Sequence, residues 1–448
     1  MSAKSMSNEA VRKESGRPGE CTGTHAIPPV PTGGSQSGTG DADQDIAKYT
    51  EMIQRNPNDT AAYNNRGNAY KDKGDYDRAI ADYTQALRLD SNDVAVYSNR
   101  GIAYKDKGDY DRAIADYTQA LRLDSNDAAA YNNRGLAYQD KGDNDRAIAD
   151  YTQALRLDPN SAAAYYNRGN VYGNKGDYDR AVADYTQALW LDPNLVAAYN
   201  NRGLAYDDKG GYDRAIADYT QALRLDPNLA AAYYNRGNVY GNKGDYDRAV
   251  ADYTQALQLD PNLAAAYYNR GNAYAGKGDY DRAIVDYTQA LWLDPNDVAA
   301  YSNRGLAYYY RGDYDRAIVD YTQALRLDPN DVAVYYNRGS AYADKGDYDR
   351  AIADYTQALR LDPNYAVAYS NRGNAYADKG DYDRAIADYT QALRLDPNDA
   401  SAYYNRGSAY TEKGDYVRAR ADWEKALQLN PNDANARHNL EVLRGMGY

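Results

Sequence analysis

TAAYNNRGNAYKDKGDYDRAIADYTQALRLDSND, residues Thr60–Asp93, is one 34-residue unit, and near copies of it run head to tail eleven times across residues 58–433. A fixed period of this length is the signature of a solenoid. Each unit is too small to bury its own apolar face and rests on its neighbours, so no single globular core is expected. The functional question becomes which residues line a long surface.

Inside the unit, two amphipathic segments flank Lys73-Gly74-Asp75. The first, from Ala61 to Lys73, sets Tyr63, Gly67 and Tyr70 at i, i+4 and i+7, one face of a helix. Gly74 suits a left-handed helix C-terminus, and Asp75 can cap the helix that follows. That second helix, Asp77 to Leu89, offers Ala79, Ile80, Tyr83, Ala86, Leu87 and Leu89 for burial. Asp75 and Asp77 at its start and Arg88 near its end agree with the helix dipole. Asn92 or Asp93 caps the next first helix, and a Pro such as Pro159 or Pro193 ends most units.

Tyr63, Gly67, Tyr70, Ala79, Tyr83, Ala86 and the closing Pro fall at the spacing of the tetratricopeptide repeat, which the whole of 60–433 resembles. The resemblance implies an all-α fold, an α-solenoid of eleven tandem helix–turn–helix units wound as a right-handed superhelix, with first helices lining the concave groove. Two features depart from the family pattern. The aromatic positions are almost all Tyr, with 52 Tyr and no Phe, so each buried ring brings a hydroxyl that needs a partner. The usual Leu before the Gly is Arg in all eleven units, Arg66 through Arg406, and an Asp, Asp82 through Asp422, recurs as regularly. Each Arg is expected to pair with an Asp of its own or an adjacent unit.

The ends read as caps. Residues 45–57 align with a second helix and form a half-repeat, and 434–448 hold a further first helix. Unit eleven is atypical, with Arg420 and Trp423 where other units have Ile or Val and Tyr. Residues 1–44, rich in Ser, Gly, Thr and Pro, are expected to be disordered because they cannot bury enough apolar area. They contain no signal-peptide run, and no segment is long and apolar enough to insert in a membrane. The single Cys21 excludes an intrachain disulfide and, with the missing signal, points to a reducing, cytoplasmic setting.

Net charge is −13, and the unit itself carries five Lys/Arg against six Asp, which argues against nucleic acid as partner. Catalytic and cofactor chemistry find no support. The two histidines, His25 and His438, lie near opposite chain ends, so no nucleophile–His arrangement sits within the array. Cys21 and His25 lack a second pair of metal ligands. Asp72, Asp75 and Asp77 resemble part of a calcium loop, yet Lys73 and Arg78 stand among them and the closing Glu is missing. No cofactor and no metal are expected, and the chain is not read as an enzyme.

The residue two before the Gly is Asn in every unit: Asn65, Asn99, Asn133, Asn167, Asn201, Asn235, Asn269, Asn303, Asn337, Asn371 and Asn405. This row resembles the asparagine ladder of the repeat domain of O-GlcNAc transferase, where amides grip the backbone of an extended peptide. A side-chain amide both donates and accepts, so it pairs with any peptide group and reads no particular side chain. Selectivity is then expected from variable neighbours: the residue before each Asn, and the residue after the Gly, which alternates between Asn (Asn68, Asn170, Asn238) and apolar (Ile102, Leu136, Leu204, Leu306). Tyr234, Tyr268, Tyr336 and the unusual Tyr309-Tyr310 place the strongest expected contacts in units six to nine. Trp190 and Trp292 are expected on the outer face, as a second contact surface or as single exposed rings.

These readings describe a non-catalytic scaffold that binds an extended peptide or a partner helix. The alternatives are a structural spacer that can self-associate, or a regulatory subunit of a separately encoded enzyme. Units four and six differ only at Trp190 against Gln258, so sameness among units also reflects copying.

Overall fold

The computed structural model describes residues 39–448, and among them every regular element is an α-helix. Helix α1 (Thr39–Arg55) precedes unit one, which comprises α2 (Thr60–Asp72) and α3 (Tyr76–Leu89). Pairs of this form repeat to unit eleven, α22 (Ala400–Glu412) and α23 (Tyr416–Leu429), and α24 (Ala434–Gly445) follows. The disorder expected for 1–44 and the Cys21 and His25 readings fall outside the described residues, except for the last residues of that stretch. There the expectation is corrected: α1 starts at Thr39, six residues before Asp45. Ala42, one period before Tyr76, is buried, which gives the added turn an anchor.

The turn chemistry is local. Asp75 Oδ1 accepts from the Arg78 amide at 3.1 Å, and Asp93 Oδ1 accepts from the Val96 amide at 3.1 Å. Asp93 rather than Asn92 is therefore the cap. Asp90 Oδ1 takes the Asn92 amide at 2.9 Å and shapes the loop between units. Gly74 has φ +77°, a conformation open to Gly without strain. Units whose loop carries Leu195, Leu263 or Tyr365 at the cap position have no side-chain cap there.

Two compact bodies divide the described chain, one through Val239 and one from Tyr240. In the first, Ala79, Tyr83, Ala86 and Leu87 of α3 pack with Val96 and Ala103 of the next unit's first helix. In the second, Ala317, Tyr321, Ala324 and Leu325 do the same with Val334 and Ala341. Each body is thus a chain of small cores shared by neighbouring units. Leu89, expected in the core, is exposed, and Asp82 of the same helix is buried for a reason given below. At the end of the second body Leu440 stands where every unit has Arg, and it packs with Trp423 and Leu443.

Candidate peptide-binding face

The ladder asparagines first bond to their own array. In the first body, Asn99 Nδ2 donates to Asn64 Oδ1 (3.1 Å), Asn167 Nδ2 to Asn132 Oδ1 (3.2 Å), and Asn235 Nδ2 to Asn200 Oδ1 (3.1 Å). Asn201 Nδ2 reaches both the Tyr166 hydroxyl (3.1 Å) and Asn170 Oδ1 (2.9 Å). In the second body, Asn303 Nδ2 donates to the Tyr268 hydroxyl (2.9 Å) and Asn272 Oδ1 (3.0 Å), Asn371 Nδ2 to the Tyr336 hydroxyl (2.8 Å), and Asn405 Nδ2 to Asn374 Oδ1 (3.0 Å). The recurrent acceptor is the residue before the preceding unit's ladder Asn. That position, expected to supply selectivity, instead joins one unit to the next.

Burial sorts the rungs. Asn133, Asn167, Asn201, Asn235, Asn269 and Asn337 are buried, three of them completely, whereas Asn65, Asn99, Asn303, Asn371 and Asn405 are half-buried. Tyr234, Tyr268, Tyr309 and Tyr336, expected as hot spots of a binding surface, are buried core residues. Tyr309 donates to Asp344 Oδ2 at 2.5 Å, and half-buried Tyr310 stacks on Tyr280 with centroids 5.1 Å apart. A side-chain amide or phenol within reach of a polar group on the adjacent unit satisfies itself there. Trp190 and Trp292 are 72% exposed, on second helices as expected.

The residue after the Gly also has a different role from the one its variability suggested. It faces the Tyr fifteen positions on, on the second helix of its own unit. Tyr83 donates to Asn68 Oδ1 at 2.7 Å, Tyr185 to Asn170 at 2.8 Å, Tyr287 to Asn272 at 2.8 Å, and Tyr389 to Asn374 at 2.8 Å. Where the position is Ile102, Leu204 or Leu306, the buried hydroxyls of Tyr117, Tyr219 and Tyr321 have no hydrogen-bond partner. Unit three, with Leu136, recovers the bond through Gln139 Oε1, 2.9 Å from the Tyr151 hydroxyl. Leaving a buried hydroxyl unpaired costs about 1–3 kcal/mol, whereas a made bond contributes only about 1 kcal/mol. Tyr321→Phe should therefore leave stability unchanged or raise it, while Tyr287→Phe lowers it by about 1 kcal/mol because Asn272 loses its phenol donor. Denaturant unfolding of the two variants checks this, and equal losses in both would contradict it.

The Arg row forms an inter-unit clip. Arg134 Nε and Nη2 grip Asp150 Oδ2 and Oδ1 at 2.7 and 2.8 Å, and Nη1 donates to Thr118 Oγ1 of the preceding unit at 3.1 Å. Thr118 in turn donates to the Ile114 carbonyl at 2.7 Å. The two-point Arg–Asp contact recurs in units one to five and seven to eleven. The Asp partner belongs to the same unit, which the sequence had left open, and the Thr is a participant that the sequence reading did not single out. Its signal was available, since Thr84 and its equivalents recur in units one to ten, preceded by Thr50 in the half-repeat. Hydrogen bonding to Asp150 holds the Arg134 guanidinium above its ordinary value, against the burial that opposes it.

Models of the TPR repeat and the tetratricopeptide repeat match this chain at residues 67–108, 103–142, 139–176, 207–244, 305–346, 339–380 and 373–414, and at 162–195, 230–263, 264–297, 400–433 and 48–81. The chain belongs to the tetratricopeptide repeat family. It is accordingly a protein-interaction scaffold, a fold that is typically non-catalytic. No curated protein matched it. Among solved structures, it resembles the C-terminal part of a TPR repeat-containing protein from Cytophaga hutchinsonii at 24% identity over 53% of this chain and 98% of that one, with a TM-score of 0.48. It is similar to MamA at 32% identity over 37% of this chain and 96% of that one, with a TM-score of 0.36. It is also similar to YrrB, described as a TPR protein with an unusual peptide-binding site, at 26% identity, 42% and 96% coverage and a TM-score of 0.38. Among the described residues of this tetratricopeptide repeat protein, no group of three or more His, Cys, Asp or Glu is placed to hold a metal ion. No described helix is long and apolar enough to cross a membrane.

Proposed function

We propose that this scaffold holds an extended peptide or partner helix against its first helices, through those ladder asparagines that stay half-open. The observation behind this reading is the contrast among rungs. Asn303, Asn371 and Asn405 are half-buried, and each has its amide nitrogen fixed by the preceding unit. Fixing the nitrogen turns the amide, so that its oxygen has one orientation before a ligand arrives. A preoriented acceptor loses less entropy when a peptide N–H meets it. Each such bond contributes only about 0.5–1.5 kcal/mol, so several rungs must act together.

A second reading, the structural spacer, is favoured by the buried rungs, whose amides are spent between units. The two readings separate in one experiment. Residues 39–448, bearing Asn303→Ala, Asn371→Ala and Asn405→Ala together, are compared with the wild type in affinity capture from native lysate. The groove reading expects specific partners to be lost while the helical signal and its melting profile remain. Partners captured equally by both proteins would favour the spacer.

A further inference from the structure

The three half-open rungs of the second body do not offer a partner the same chemistry. A side-chain amide carries two hydrogens on its nitrogen and one carbonyl oxygen, and what internal bonding leaves over decides what it can read. Asn303 has spent both hydrogens: Nδ2 donates to the Tyr268 hydroxyl at 2.9 Å and to Asn272 Oδ1 at 3.0 Å. Asn371 has spent one, on the Tyr336 hydroxyl at 2.8 Å, and its oxygen receives Asn374 Nδ2 at a long 3.5 Å. Asn405 has also spent one, on Asn374 Oδ1 at 3.0 Å.

Two positions of the preceding unit make the difference, the residue before its ladder Asn and the residue after its Gly. Unit seven supplies Tyr268 and Asn272, and each takes a hydrogen of Asn303. Unit nine supplies Tyr336 and Ser340, but Ser340 turns to the Tyr336 carbonyl and the Tyr355 hydroxyl, both at 3.1 Å. Unit ten supplies Ser370 and Asn374, of which Asn374 alone takes a hydrogen of Asn405. The Tyr–Asn pair recurs in the first body, where buried Asn201 donates to both Tyr166 and Asn170. Asn99, which follows Asn64 and Asn68, donates to Asn64 alone, so both hydrogens are spent behind Tyr with Asn. A third group fixes which way the Asn272 amide points. The Tyr287 hydroxyl donates to the same Oδ1 at 2.8 Å, and both residues are almost wholly buried. Turning the amide over would strand the Tyr287 proton without an acceptor, which is costly in a buried site.

We propose that Asn272 is a positioning residue for the groove: by taking the second hydrogen of Asn303 it makes that rung an acceptor only, which admits a partner peptide N–H and refuses a partner carbonyl. Asn371, with a hydrogen to spare, serves either. The inference rests on the groove reading above and narrows its partner to a segment with an unsubstituted backbone N–H opposite unit eight. Proline is thereby excluded at that point of the partner, because it has no N–H.

The probes are two short peptides, each acetylated and closed as a dimethylamide: hexaglycine, which keeps every N–H, and hexasarcosine, whose nitrogens are all methylated while its carbonyls remain. The side-chain amide NMR signals of Asn303 and Asn371 are followed in the full chain. Hexaglycine should shift both residues, whereas hexasarcosine should shift Asn371 and leave Asn303 unmoved. Asn272→Leu returns a hydrogen to Asn303, so hexasarcosine should then shift Asn303 as well. Without any peptide, the amide hydrogens of Asn303 should exchange about fivefold faster in this variant, the equivalent of one hydrogen bond. The array already carries Leu at this position as Leu136, Leu204 and Leu306, so the substitution suits the fold. Asn272→Leu with Tyr287→Phe removes the lock without stranding a phenol and should give the same peptide response. A hexasarcosine shift at Asn303 in the wild type, or an unchanged pattern in both variants, would overturn the proposal and leave the groove reading standing. If neither peptide shifts any rung, the groove reading falls and this inference with it.

Discussion

Replacing Arg372 by Ala should destabilise units nine to eleven by about 3 kcal/mol, the largest effect of any single polar substitution in the array. Arg372 Nε and Nη2 hold Asp388 at 2.7 and 2.8 Å, and Nη1 reaches Thr356 Oγ1 of the preceding unit at 3.0 Å. Asp388 is buried, so deleting the guanidinium leaves a carboxylate without either water or a counter-ion. The net worth of the pair is a separate matter. Two buried charges also cost desolvation, and replacing both by apolar residues of similar volume is often neutral or stabilising. Arg372→Leu combined with Asp388→Leu should thus recover most of what Arg372→Leu alone loses. Thr356→Val removes one neutral acceptor and should cost only about 1 kcal/mol. Repeat arrays open locally rather than all at once, so native-state hydrogen exchange resolved by unit is the suitable measurement. A loss of about 3 kcal/mol corresponds to roughly a hundredfold faster exchange in unit ten, and a far smaller change would mean that the guanidinium is replaceable by solvent.

The contrast among these residues indicates what the sequence could convey. Gly74 and Asp75 act within a few residues of themselves, so their turn and cap roles were legible from spacing alone, whereas spacing left Asn92 and Asp93 both open as the cap of the next helix. The period and the apolar positions placed both helices within a residue or two. Arg66 and Asp82 announced a pair by recurring together, yet sequence periodicity is the same for a partner in the same unit or the next. What escaped was whatever depends on the third dimension. Asn68 and Tyr83 are fifteen residues apart on different helices, and only their packing shows that the variable position serves a phenol. Identical asparagines separate into buried and half-open rungs even where their partners match: buried Asn201 meets Tyr166 and Asn170, and half-open Asn303 meets the equivalent Tyr268 and Asn272, contacts for which the sequence alone gives no distance. The ladder was therefore visible as a pattern, but its first commitment, to the adjacent unit, was not.

Gly373→Ala should cost about 2 kcal/mol, more than its single methyl group suggests. An added Cβ would stand 2.8 Å from Tyr389 Cε1, 3.0 Å from Cδ1 and 3.2 Å from Cζ. A flexible neighbour could yield, but this ring is almost wholly buried, and its hydroxyl is held by Asn374 Oδ1 at 2.8 Å. Turning the ring breaks that bond and disturbs the same oxygen's contact with Asn405 Nδ2 of the next unit, at 3.0 Å. Moving the helices apart instead opens the Arg372–Asp388 contact beside it. Overpacking of this kind costs about 1–3 kcal/mol, and the better helix propensity of Ala returns at most about 1 kcal/mol. Gly380→Ala makes a useful comparison, because nothing lies within 4 Å of its Cβ and its φ of +77° is the sole obstacle. That cost, about 1–2 kcal/mol, stays in one turn. Exchange should therefore quicken across units ten and eleven in Gly373→Ala but chiefly around the turn in Gly380→Ala. A double variant, Gly373→Ala with Tyr389→Leu, decides the cause. If the ring is what the methyl strikes, the two losses are less than additive, and strict additivity would place the strain in the helix backbone instead.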